Sequence, residues 1–198
     1  MRKLVIAIDC DEVLVPSAEV LVDIYNAKYG TAVKLEEAYM PDNSDWQADR
    51  EEALSRIGDI QLSSEYAEAA PFEDAVETCA RLAENHELHL VTARASKVMP
   101  ATMAMINQYF PDVFTEIEHI GDSGNKGEIC QKLYADVLID DNLKHLESAK
   151  ACGVANLIWF GDYVWNRSDD QPEGVVRCSD WAAVEKEIER IARLQLEG

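Results

Sequence analysis

Apolar positions along this chain follow two alternating rhythms. Short runs bounded by polar residues recur as "KLVIAID", "LHLVTA" (Leu88 to Ala93), "EIEHIG" (Glu116 to Gly121), "DVLIDD" (Asp136 to Asp141) and "NLIWFG" (Asn156 to Gly161). Each has the length of a buried strand, and "GVVRC" adds a short edge strand. Between them, apolar residues return every three or four positions. "FEDAVETCARLAEN" sets Val76, Cys79, Ala80 and Ala83 on one face. "KVMPATMAMINQYF" carries Pro100 in its first turn, where a missing N–H is tolerated. "KGEICQKLY" and "NLKHLESAKACG" follow, the second stopped by Gly153. "DWAAVEKEIERIARLQLE" closes the chain with Trp181, Val184, Ile188 and Ile191 in one stripe. Strand–helix alternation with continuously apolar strands predicts an α/β fold, a parallel sheet with helices on both faces.

From Pro16 to Pro71 the alternation fails and no strand is predicted. "SAEVLVDIYNAKYG" reads as a helix with Val20, Leu21, Ile24 and Tyr25 on one face and Gly30 as its stop. "SDWQADREEALSRIG" reads as a second, with Ser44 and Gln47 at capping-box spacing, and "SSEYAEAA" as a third. The expected organisation is a Rossmann-like core of residues 1–15 and 72–198, with a small α-helical cap, 16–71, inserted after the first strand.

Composition narrows the function classes. The chain has 198 residues, with 38 acidic against 18 basic side chains and a formal net charge of −20. Such a surface repels nucleic-acid backbones, which argues against a nucleic-acid partner. No apolar run is long enough to span a bilayer. "MRKLVIAIDCDE" starts like a secretory leader, but its apolar run is too short and Asp9 and Asp11 interrupt it, so a cytoplasmic protein is expected. Five cysteines without a CxxC pair suit reduced, intracellular usage, and four histidines without a paired spacing argue against zinc. The oligomeric state is left open, a homodimer included.

The candidate chemistry gathers at strand ends. Asp9 and Asp11 follow the first strand one residue apart, and Asp140 and Asp141 end a second. Side by side, these carboxylates would be costly without a cation, and an all-oxygen donor set favours Mg²⁺. The same residues also suit a strand-to-loop exit and a helix N-cap. Thr92 ends "LVT", where a hydroxyl can donate to a phosphoryl oxygen. Lys126, in "GDSGNKGEIC", can offer charge to a phosphate or start a solvated helix.

The order "DCDEVL" at Asp9, "VTAR" at Thr92, "GNKGE" at Lys126 and "LIDD" at Asp140 resembles the haloacid dehalogenase-like hydrolase superfamily. The helical insert resembles that superfamily's first type of cap. Within it the chain looks most like the 5′(3′)-deoxyribonucleotidase (type C) group, on "KGEICQKLYADVLIDDNLKHLESAKACG" and "GDYVWNR". The resemblance implies a Mg²⁺-dependent phosphomonoesterase acting through an aspartyl-phosphate, on a small phosphorylated substrate such as a nucleoside monophosphate. Asp9 would be the nucleophile. Asp11 would be the acid/base, protonated at working pH through a raised pKa. Asp9, the Asp11 carbonyl and Asp140 would hold Mg²⁺, with Asp141 behind them, and Thr92, Ala93 and Lys126 would hold the phosphoryl group. Arg94 would contact phosphate or sugar, or form a surface salt bridge. Trp46 and Tyr39 from the cap, and Tyr163, Trp165 and Asn166 from the loop after "LIWFG", are candidates for substrate contact or for packing. Many relatives have glycine where this chain has Glu12, which adds bulk and charge at the hinge. A sugar-phosphate phosphatase or phosphomutase is the alternative on the same scaffold. Asp11 argues against a dehalogenase, and the insert against a phospho-acceptor receiver module.

Overall fold

In the structure, a computed structural model, residues 2–41, 44–121, 124–166 and 171–197 are described. Six strands run parallel in one sheet: β1 Val5–Ile8, β2 Glu87–Thr92, β3 Phe114–His119, β4 Val137–Asp140, β5 Asn156–Phe160 and β6 Val175–Cys178. Their order is β3-β2-β1-β4-β5-β6, so the chain leaves β1 on one side and later returns on the other. That reversal opens a crevice at the carboxyl end of β1. Ile8 pairs with both Leu90 and Ile139, which brings Asp9 level with Asp140. "GVVRC" forms the predicted edge strand, and the expected α/β class is what the chain adopts.

Helices cover both faces. Ile6, Ile8, Leu90 and Ile139 point into one cluster with α4 (Glu73–Ala83), α5 (Met99–Tyr109) and α8 (Trp181–Glu197). Ala7, Val91, Leu138 and Trp159 point into the other with α6 (Lys126–Lys132) and α7 (Leu143–Ala151). The α8 stripe is buried as expected. The α4 face is turned somewhat from the expected one: Cys79 is buried and Val76 and Ala83 are half-buried against the core, but Ala75, Thr78 and Leu82 are buried with Cys79 while Ala80 is exposed. Leu82 offers far more apolar area than an alanine and sets the rotation of the helix.

The described residues between 17 and 67 fold as α1 (Ser17–Tyr29), α2 (Arg50–Gln61) and the single turn α3 (Ser64–Ala67), with one-turn 3-10 helices at Leu35–Glu37 and Ser44–Trp46. They share an apolar cluster containing Ala18, Leu21, Val22, Tyr25, Trp46, Ala53, Ile60 and Tyr66. Gly30 ends α1 in the left-handed conformation, as expected. Two details correct the sequence reading. The buried face of α1 includes Ala18 and Val22, while Val20 and Ile24 are only half-buried. The second helix does not begin at a Ser44–Gln47 box. Gln47 has φ +47°, which interrupts the helix, and the cap is Asp49, whose carboxylate accepts from the Glu52 N–H at 2.9 Å.

Candidate active site

The strand-end residues converge at the crevice. Asp9 lies just past β1 and its Oδ1 accepts from the Cys10 N–H at 2.7 Å. Lys126 opens α6 and is fully buried, its Nζ 2.7 Å from Asp9 Oδ1 and 2.7 Å from Asp140 Oδ2. A solvated helix start, one of its two sequence readings, is therefore excluded. The local cause is the next residue: a Cβ on Gly127 would stand 2.4 Å from the Ser148 carbonyl oxygen, so only glycine lets α6 press this closely on α7. The Asn125 side chain caps α6, accepting from the Gly127 N–H at 2.8 Å. Asn142 caps α7, accepting from the Lys144 N–H, and its own N–H donates to Asp140 Oδ1 at 2.8 Å.

Asp9, Asp140 and Asp141 are all buried, with oxygens within 4.8 Å of one another. Burial pushes the Asp9 carboxyl up to about 7, Lys126 opposing and Asp140 and Asp11 adding to the rise. Asp140 is raised by burial, and Asp141 well raised by burial and by the charges of Asp140 and Asp9. Burial pulls the Lys126 ammonium down, but the charges of Asp140 and Asp9 outweigh it and hold it charged. Three carboxylates face one ammonium here, a deficit that a divalent cation would balance, and the donors are all oxygen. The residues therefore fit Mg²⁺.

Asp11 stands apart from that cluster and is paired with Arg94. Arg94 Nη2 and Nε lie 2.7 and 3.0 Å from Asp11 Oδ1. The guanidinium also donates to Thr102 Oγ1 and Ser17 Oγ, each at 3.0 Å, and Ser17 Oγ donates to Asp11. Arg94 thus forms the salt bridge that one of its readings expected, but a largely buried one, against the acid/base candidate. The expected raised pKa of Asp11 is corrected by the same pairing. Burial pushes the carboxyl up, but the Arg94 charge and the hydrogen bonds from Arg94 and Ser17 together bring it below its ordinary value. Thr92 is buried, and its Oγ1 accepts from the Arg94 N–H at 3.1 Å.

A cavity of about 490 Å³ opens above this floor, lined by Asp9, Asp11, Tyr39, Ala93, Asp141 and Trp165, with Asn142, Leu143, Lys144, His145, Glu147 and Trp159 on the α7 side. Tyr39 from the helical insert meets Trp165 edge-on at 4.9 Å, and Tyr163 stacks on Trp165 at 4.8 Å and 8°. Tyr163 therefore backs the wall. Asn166 closes the turn Val164–Asn166, and its side chain lies outside the described residues. Trp46 is no wall residue: it is fully buried in the cluster of the insert, edge-on to Tyr25 at 4.6 Å. A small helical unit needs its largest side chain for its own core.

Glu12 is buried with φ +58°, in the left-handed region. Its Oε1 accepts from the Ala18 N–H at 2.7 Å at the start of α1, its Oε2 accepts from the Tyr39 hydroxyl, and its carbonyl accepts from the Tyr163 hydroxyl at 2.6 Å. Burial first, and the Asp11 charge second, raise its carboxyl to about 7. Lys144 and His145 also line the cavity, and in the sequence only their position, in the first turn of the helix directly after "LIDDN", points to it.

Residues 3–195 match the family model described as "5′ nucleotidase, deoxy (Pyrimidine), cytosolic type C protein". No curated protein matches the chain in sequence. Solved structures share its fold at low identity. A haloacid dehalogenase-like family hydrolase, SP0104 from Streptococcus pneumoniae, is 15% identical with a TM-score of 0.66, the match covering 94% of this chain and 98% of that one. A HAD-superfamily hydrolase of subfamily IA from Geobacter sulfurreducens is 15% identical with a TM-score of 0.60, covering 96% of each chain. YfnB from Bacillus subtilis, in a magnesium-bound structure, is 10% identical with a TM-score of 0.64, covering 95% and 99%.

Proposed function

The chain belongs to the cytosolic type C deoxy(pyrimidine) 5′ nucleotidase family and is a phosphoric monoester hydrolase, and from that premise we propose that it is a Mg²⁺-dependent 5′-nucleotidase of nucleoside monophosphates acting through an aspartyl-phosphate on Asp9. The observation that carries this reading is the buried Asp9–Lys126–Asp140 cluster, whose Asp9 reaches a cavity walled by Tyr39 and Trp165. The floor suits a phosphoryl group and the wall suits a flat leaving group.

In this reading Asp9, Asp140 and the Asp11 carbonyl would hold Mg²⁺, as the resemblance implies, and Asp141, instead of standing behind them, would join them, its carboxylate oxygen lying within 4.8 Å of theirs. The cation supplies charge neutralisation for the phosphoryl oxygens. Asp9 Oδ attacks phosphorus, the P–O bond to the leaving alkoxide breaks, and that alkoxide takes a proton from Asp11. Water, deprotonated by Asp11, then attacks the aspartyl-phosphate and releases inorganic phosphate, freeing the Asp9 carboxylate. Lys126, Thr92 and the backbone at Ala93 hold phosphoryl oxygens. Because Arg94 keeps Asp11 ionised, the acid step needs bound substrate to loosen that pair and Asp11 to take a proton from solvent before it passes one to the alkoxide, whereas the base step finds Asp11 deprotonated once that proton has left with the alcohol. Residues 16–71 act as the cap, turning about the segments near Glu12 and Phe72. Cytosolic residence follows the family description, and among the described residues no helix is long and apolar enough to cross a membrane.

A substrate panel tests the assignment. With Mg²⁺ present, kcat/KM for dUMP and dTMP is expected to exceed that for hexose and pentose phosphates by at least roughly tenfold. Equal values across the panel would remove the nucleotide reading and leave a general phosphatase.

A further inference from the structure

Asp141 is gripped by two indoles. Trp159 Nε1 donates to the Asp141 backbone carbonyl at 2.8 Å, and Trp165 Nε1 donates to Asp141 Oδ2 at 2.9 Å. The first bond comes from a buried strand residue that forms part of the sheet. The second comes from a loop residue that also walls the cavity. Trp165 is held from three directions: stacked by Tyr163, met edge-on by Tyr39, and bonded to Asp141. The hydroxyls of Tyr163 and Tyr39 both end on Glu12, one on its carbonyl and one on its carboxylate. Glu12, Tyr39, Trp165 and Tyr163 therefore close a ring between the loop after β1, the helical insert and the loop after β5. The indole N–H is the ring's link to the acidic cluster.

We propose that Trp165 is a positioning residue, which fixes the rotamer of the Asp141 carboxylate toward Asp9 and Asp140 and thereby sets the affinity of that cluster for Mg²⁺. A carboxylate with one oxygen engaged by a fixed donor presents the other in one direction. Without the N–H, Asp141 is free to swing away from its like-charged neighbours, which repel it while no cation is bound. The metal must then reorder it. The proposal rests on the reading that Asp9, Asp140 and Asp141 hold Mg²⁺.

The experiment measures Mg²⁺ binding by calorimetry with the metal alone, on the full chain without substrate. Trp165→Phe keeps an aromatic ring against Tyr163 and Tyr39 but removes the donor. Its Mg²⁺ Kd is expected to rise roughly tenfold. Asp141→Asn is expected to weaken binding as well, and the double variant to bind no more weakly than Asp141→Asn alone, because both act through one carboxylate. A Trp165→Phe Kd within twofold of wild type, or losses that add in the double variant, would overturn the proposal. Asp140→Asn separates it from its premise: wild type that binds no Mg²⁺, or binding untouched in Asp140→Asn, rejects the metal cluster itself. A wild-type measurement covers the case in which Trp165→Phe does not fold. In tryptophan-labelled protein, an indole N–H resonance is expected to move as Mg²⁺ saturates and to stay still in Asp140→Asn. Indole resonances unmoved at saturation would overturn the proposal.

Discussion

Asp9→Asn is expected to lower kcat on any phosphomonoester by roughly four orders of magnitude or more, while leaving the fold intact. The amide is nearly the size of the carboxylate, so the cavity keeps its shape. Its nitrogen and neutral oxygen cannot attack phosphorus to form the acyl phosphate. The fold is expected to tolerate the change because Asp9 is a strained ion: burial has already pushed its carboxyl up to about 7, and Asp140 and Asp11 repel it. Removing its charge leaves Lys126 with Asp140 still 2.7 Å away. Steady-state phosphate release in Mg²⁺ and thermal melting of the same preparation check both halves. A variant with a tenth of wild-type kcat would show that another group attacks phosphorus.

Lys126→Met should damage stability and catalysis together. The ammonium is fully buried and is shared between Asp9 and Asp140 at 2.7 Å each. Removing one member of a buried ion cluster typically costs about 3–5 kcal/mol, because the remaining charges lose their partner without regaining water. For a chain of this size that lowers Tm in a chelator by roughly 10 °C. Added Mg²⁺ is expected to raise the Tm of the variant more than that of wild type, since the cation then neutralises a cluster with one positive charge fewer. Stability returns with Mg²⁺ but activity does not, because kcat is still short of a donor to the transferring phosphoryl group, worth roughly 10²–10³-fold. Melting curves with and without Mg²⁺ measure the first effect. A chelator Tm within about 2 °C of wild type would show that Lys126 does not hold these carboxylates together.

The sheet and the convergence of its strand ends were legible because they rest on local patterning. Apolar runs ending in Asp9, Thr92 and Asp140 can be read directly, and a parallel order with β1 central brings those ends to one edge. What could not be read was which side chain each polar residue meets. Arg94 lies two residues past Thr92, yet its partner Asp11 is 83 positions away in sequence. Lys126 carried two readings until the close approach of α6 to α7 at Gly127 drew it into the interior. Trp46 and Trp165 are both, from the sequence, candidates for substrate contact or for packing. One fills the core of a helical unit and the other walls the cavity, a distinction made by packing alone. The glycine that many relatives carry at position 12 suits the left-handed φ found there, a conformation that glycine adopts without strain and Glu12 does not. Three hydrogen bonds, to Ala18, Tyr39 and Tyr163, offset that strain in a way no spacing rule encodes.

In the proposed mechanism Asp9 carries the phosphoryl group and Asp11 moves the protons, and pre-steady-state turnover of para-nitrophenyl phosphate by Asp11→Asn in Mg²⁺ separates the two roles. Nitrophenolate is a good enough leaving group to depart without an acid, whereas hydrolysis of the acyl phosphate still needs the base. A burst of about one equivalent of nitrophenolate per chain is expected, followed by slow turnover, with the phosphoryl group recovered on the peptide containing Asp9 after acid quench. Slow linear release without a burst, or a phosphoryl group on any other residue, would contradict it.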